Sequence, residues 1–105
     1  MGNSFNKKII NLKETLDYQD NAIVSKTLIT KEEKSVTLFA FDQGQVISSH
    51  TAPVDAFVQV LEGEVEIIIS GEKFDLKEGE MILMPATEPH ALTAKSKFKM
   101  MLVKI

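Results

Sequence analysis

The residues best equipped for chemistry in this chain are its two histidines, His50 and His90. An imidazole titrates near neutral pH and binds transition metals, so two of them brought together point to a metal site or to the polar end of a ligand pocket. The chain has no cysteine. That removes a disulfide framework, a thiolate nucleophile and any cysteine-based zinc or iron–sulfur site, and leaves a metal only imidazole, carboxylate, backbone or water. No phosphate-binding glycine loop, no metalloprotease helix motif and no local signature of a Ser-His-Asp arrangement is present. Paired carboxylates for glycoside chemistry are not identifiable either.

Composition narrows the partners. All twelve basic residues are lysine and the net charge is −3, which argues against a nucleic-acid protein, since that class needs a basic stripe and usually guanidinium groups for guanine edges. The longest apolar runs fall far short of the roughly 20 residues that cross a bilayer. Near the N-terminus Lys7 and Lys8 precede Ile9 and Ile10, yet Asn11, Lys13, Glu14 and Asp17 break what would be a signal-peptide core. The expectation is a soluble, cytoplasmic protein with no membrane and no nucleic-acid partner. A length of 105 residues, 44% hydrophobic, suits one domain with one core.

The elements that must position the histidines read mostly as strands. Residues 1–21 form a polar N-terminal arm, in which Leu12 and Leu16 are one helical turn apart and Asn11 can cap, so a short helix is expected over 12–17. From residue 22 onward, strand patterns occupy 23–30, 35–41, 57–62, 65–69, 73–76, 81–84 and 98–103. Lys31 to Lys34 make a charged turn, Pro85 stops a strand, and Gly71 suits the positive φ of a hairpin turn. Glu62, Glu64 and Glu66 alternate along one strand and Lys73, Asp75 and Lys77 along the next, as on the solvated side of a hairpin. Of the methionines, Met81, Met84, Met100 and Met101 fall in two late strands, where Met commonly fills apolar gaps. Many short strands at close spacing predict an all-β sandwich or barrel over residues 22–105.

Both histidines, all three prolines and three of the five glycines lie in two segments. The first runs from Gly44 through His50 and Pro53 to the Val60-Leu61-Glu62-Gly63-Glu64 hairpin. The second runs from Gly79 through Pro85 to Pro89-His90. These two segments resemble the two motifs of the cupin superfamily, and the resemblance covers roughly residues 35–95. It implies an antiparallel double-stranded β-helix, or jelly-roll barrel, and a homodimer. It also implies a metal site inside the barrel, built by two histidines one residue apart, a glutamate, and a third histidine from the second motif. Here His50 and His90 occupy the first and last of those positions, while Ala52 and Ala56 stand where the second histidine and the glutamate are expected. Thr87 replaces the second-motif glycine, and Ala94 the asparagine that usually follows.

Two imidazoles fall short of the four protein ligands of structural zinc, the three of catalytic zinc, or the two-histidine-one-carboxylate set of non-haem iron. Asp55 is the nearby carboxylate for a third position. Strand alternation sets it on the face opposite positions 50, 52 and 56, unless a bulge at Pro53 resets the parity. Each histidine also has a bland reading, with its ring satisfied by neighbouring backbone or by hydroxyls such as Ser48 or Thr87. The two alanines, however, enlarge the barrel interior and make it more apolar, as small-molecule sites are. Val58 and Val60 continue the face of Ala52 and Ala56, and Leu92 that of His90, so the expected pocket is lined by His50, Ala52, Ala56, Val58, Val60, His90 and Leu92.

Three function classes follow. The leading one is a small-molecule-binding module, metal-free or weakly metal-binding, with its pocket near His50 and His90. The second is a small metal-dependent enzyme of oxygenase or isomerase type, in which Zn, Fe, Mn, Ni or Cu sits in an incomplete protein shell of His50, His90 and, at lower weight, Asp55. The third is a structural protein with a vestigial pocket.

Overall fold

The computed structural model describes residues 3–105, and among these the chain is all-β, with nine strands and no helix. In order they are β1 (Ile23–Lys31), β2 (Lys34–Phe41), β3 (Val46–His50), β4 (Ala56–Glu62), β5 (Glu64–Ile69), β6 (Glu72–Lys77), β7 (Met81–Met84), β8 (His90–Ala94) and β9 (Phe98–Lys104). They form a five-stranded sheet in the order β1-β2-β9-β4-β7 and a four-stranded sheet in the order β3-β8-β5-β6. Every pairing is antiparallel. This is the jelly-roll arrangement expected from the motifs.

Period-2 alternation decides what each sheet buries. In β4, Ala56, Val58 and Val60 are buried between half-exposed Phe57 and Gln59, and in β5, Val65, Ile67 and Ile69 face the same interior. β9 turns Phe98, Met100, Leu102 and Lys104 the same way, because Met100 pairs with Val60 and Leu102 with Val58. At one end of the barrel the space is filled by Phe41 and Phe98, whose rings lie 4.5 Å apart. On the solvated hairpin Lys73 reaches Glu66 at 3.6 Å.

Two turns depend on glycine. Ser70 and Gly71 both have positive φ, 49° and 82°, the pattern of a tight two-residue hairpin turn between β5 and β6. Gly63 has φ 81°, and a Cβ there would lie 2.1 Å from the Lys97 carbonyl oxygen. No other residue fits that approach.

The arm departs from the sequence expectation. Asn11 does close one turn, its side chain accepting the N–H groups of Lys13 and Glu14, but no helix follows. A single turn cannot repay nucleation, and the Thr15 hydroxyl donates to the Asn11 carbonyl at 2.6 Å, engaging an acceptor at the start of the segment. The arm instead lies across the outer face of the five-stranded sheet. Asn3 donates to the Leu28 carbonyl, Lys99 donates to the Lys13 carbonyl, and the Tyr18 hydroxyl donates to Glu62. The Lys97 and Lys99 ammonium groups sit over the Tyr18 ring, and burial with the Glu62 carboxylate pushes the Tyr18 phenol above its ordinary pKa. This cover explains why Leu38 and Ala40, which alternate with inward Phe39 and Phe41, are also buried.

Two strands, β3 and β8, were not legible as strands from propensity. β3 is Val-Ile-Ser-Ser-His and largely exposed, so its polar half carries no hydrophobic alternation. These two strands carry the histidines. No helix among the described residues is long and apolar enough to cross a membrane.

Candidate ligand cavity and histidine pair

β3 ends at His50 and β8 begins at His90, and the ladder sets the two residues directly opposite each other. Their Nε2 atoms are 3.1 Å apart and the rings meet edge to face with centroids 4.3 Å apart. His50 Nδ1 lies 2.9 Å from the Ser48 carbonyl oxygen, and His90 Nδ1 lies 3.2 Å from that of Glu88. A carbonyl only accepts, so each Nδ1 carries the hydrogen and the two Nε2 atoms face each other. With that tautomer two neutral rings bring their Nε2 lone pairs face to face. Burial, partly offset by the Glu88 carbonyl and reinforced by the charges of His50 and Lys104, holds His90 below its ordinary pKa. His90 is buried at 6% exposure, and His50 stands on the exposed side.

Beside the pair is a cavity of about 300 Å³. The structure brings His50, Ala52, Ala56, Val58, His90 and Leu92 to its wall. Val60 is a correction: it has the right parity and is 1% exposed, but it lies deeper, in the packed core. Asp55 is another. Its carboxylate accepts the Ala86 N–H at 2.8 Å and is absent from the cavity wall. The bulge that would have turned it inward is not used. Instead it ties the loop after β3 to the turn before β8, a junction reinforced by the Thr87 N–H donating to the Ala52 carbonyl at 2.8 Å.

Several wall residues were missed. Phe39, Met84, Met100, Leu102 and Lys104 arrive from β2, β7 and β9. Parity within β9 would have grouped the last three, but only the pairing of β9 with β4 shows that they reach the cavity. Met84 and Met100 serve as apolar wall. Thr87 keeps a positive φ of 69° at the position where the motif has glycine, so the turn geometry persists although a β-branched residue must adopt it.

The donor set fails the test for a metal held by protein alone. Among the described residues no group of three or more His, Cys, Asp or Glu side chains comes together. The two imidazoles would have to be completed by water or by a bound molecule.

Comparison with known proteins now places the chain. The model of the family described as "Cupin domain" matches residues 37–105. The chain belongs to the cupin family. A conserved protein of unknown function from Streptococcus pyogenes is 36% identical over 99% of this chain and 91% of its own, with a TM-score of 0.92. A cupin superfamily protein from Desulfitobacterium hafniense is 25% identical over 99% of this cupin and 95% of its own chain, with a TM-score of 0.90. A cupin 2 conserved barrel domain protein from Leptotrichia buccalis is 40% identical, with a TM-score of 0.88. That match takes in 91% of this chain but 47% of that one, so this cupin spans about half its length. No curated protein matches the sequence.

Proposed function

We propose that this cupin is a small-molecule-binding protein whose ligand sits in the barrel cavity against His50 and His90. The carrying observation is a concave, mostly apolar cavity of about 300 Å³ whose few polar wall residues are His50, Thr51, His90 and Lys104, the usual composition of a ligand site. Ala52 and Ala56 support this reading, because small side chains at two inward positions leave space where larger ones would fill it. The two-imidazole donor set gives a resident metal less support, and an enzyme reading would need the bound molecule to complete the site. The test is ligand-observed NMR against a fragment library, with the imidazole Hε1 signals of His50 and His90 as reporters. Hits that move both signals, and that are lost in an Ala56→Leu variant, carry the proposal; a library without such hits sinks it.

We further propose a homodimer. On the outer face of the five-stranded sheet the ladder aligns Ile29, Val36, Val103, Phe57 and Leu83 in one apolar row across all five strands. Its ends are exposed, Ile29 at 53% and Leu83 at 64%. Val103 is central, so a two-fold axis there sets Ile29 of one copy against Leu83 of the other, as a self-complementary interface requires. Sedimentation equilibrium is expected to give a dimer that Leu83→Lys dissociates. A monomer at all concentrations would refute it.

A further inference from the structure

Among the described residues, the one lysine on the cavity wall is Lys104. Its side chain shares a face with Met100 and Leu102, and its neighbours directly across the ladder are Ala56 on β4 and Ser35 on β2. Neither carries a charge. Among the described residues the ion pairs are Lys13 with Glu78, Lys73 with Glu66 and Lys95 with Asp75, so Lys104 has no carboxylate within ion-pair distance. Among the described residues it makes no side-chain hydrogen bond either, although the residue is partly buried. Among the described residues the cavity wall contains no Asp or Glu; Glu32 and Glu33 line a separate surface depression that Lys104 also borders, without an ion pair to it.

An anion placed beside a lysine at the edge of an apolar cavity gains an interaction stronger than the same pair at the open surface. The rest of the wall sets the remainder of the ligand. Phe39, Val58, Leu92, Met100 and Leu102 are apolar, and would strand a second charge or a strongly hydrated group. An engineered cavity of ~150 Å³ holds a benzene ring. About twice that volume is present here, enough for a ring or a short branched chain with one acid group attached.

We propose that the ligand class is a small monocarboxylate with a compact apolar body, its carboxylate held by Lys104 beside the His50–His90 pair and its body against the apolar wall. This rests on the reading of the cavity as the ligand site. It makes Lys104 the residue that selects an acid over the alcohol of the same shape.

The test is calorimetric titration of the full chain with benzoate, cyclohexanecarboxylate and octanoate, each beside its alcohol: benzyl alcohol, cyclohexylmethanol and octanol. The wild type is compared with Lys104→Met, which keeps the stem and drops the charge, and Lys104→Arg, which restores it. At least one acid is expected to bind tenfold or more tightly than its alcohol. That preference is expected to collapse in Lys104→Met, to return in Lys104→Arg and to shrink with added salt. Unchanged alcohol binding by Lys104→Met certifies that the variant is folded. Equal binding of acids and alcohols by the wild type would overturn the carboxylate assignment and leave the cavity reading standing. An acid preference that survives Lys104→Met would overturn the role of Lys104. Binding of none of the six compounds would overturn both readings.

Discussion

The two ends of this barrel are built by the same strands with the same alternation, yet one is solid and the other hollow. At the solid end the tilted rings of Phe41 and Phe98 share one core cluster with Val60, Val65 and Ile67, and all are at most 1% exposed. A few residues further along the same strands the inward positions are Ala56 on β4 and Lys104 on β9, and a cavity opens. The contrast teaches that the cavity is a matter of side-chain volume rather than of backbone path. Tight packing is concentrated where the aromatic rings are, and the histidine end keeps open space.

This contrast can be broken or sharpened by substitution. The largest effect is expected from Phe98→Ala at the solid end, a loss of about 3–5 kcal/mol in urea unfolding, with any ligand affinity of the folded fraction little changed. Gly63→Ala should follow, at about 1–3 kcal/mol, because its Cβ would strike the Lys97 carbonyl and its φ is positive. At the hollow end Ala56→Leu fills existing space, so stability should move by less than about 1.5 kcal/mol while binding in the cavity is lost. A loss as large as that of Phe98→Ala would show that the hollow end is packed tightly after all. Thr87→Gly should stabilise the fold by roughly 0.5–1 kcal/mol, relief of the left-handed strain outweighing glycine's entropy. A destabilised Thr87→Gly would mean that the threonine side chain does more than tolerate its turn.

The smallest expected effect is in pH dependence. His90 is held below its ordinary value of about 6.5, so between that value and its lower folded value the unfolded chain binds more protons than the folded one. Stability from the neutral ring is complete above about 6.5 and falls as pH drops toward the folded value. Melting midpoints measured from pH 7.5 to 5 should decline more in the wild type than in His90→Gln. Parallel curves would remove His90 from the account.

Much of this architecture was legible in the sequence where side-chain alternation is strong. The β4, β5 and β6 strands, the Gly71 turn, and the placing of His50 and His90 on two motif positions all follow from local pattern. The arm departs from the helix expected over 12–17 because one capped turn looks the same in sequence whether or not a helix grows from it. Strand β3 lacked an alternation signal because half of it is Ser-Ser-His. Asp55 could be assigned a face only by assuming either a regular strand or a bulge, whereas it lies in a connecting loop and spends its carboxylate on Ala86. Lys104 was invisible for a different reason: its place at the cavity arises from long-range pairing of β9 with β4, which no local window contains.

That same strand has a double allegiance. Lys99 on its outer side holds the Lys13 carbonyl of the arm, while Met100, the next residue along, faces the cavity from its inner side. The arm and the cavity thus meet opposite surfaces of one ribbon. Cutting the arm after Lys13 should therefore be felt inside the barrel as faster amide exchange along β9, and filling the barrel should in turn slow proteolysis of an arm that the bound molecule never touches.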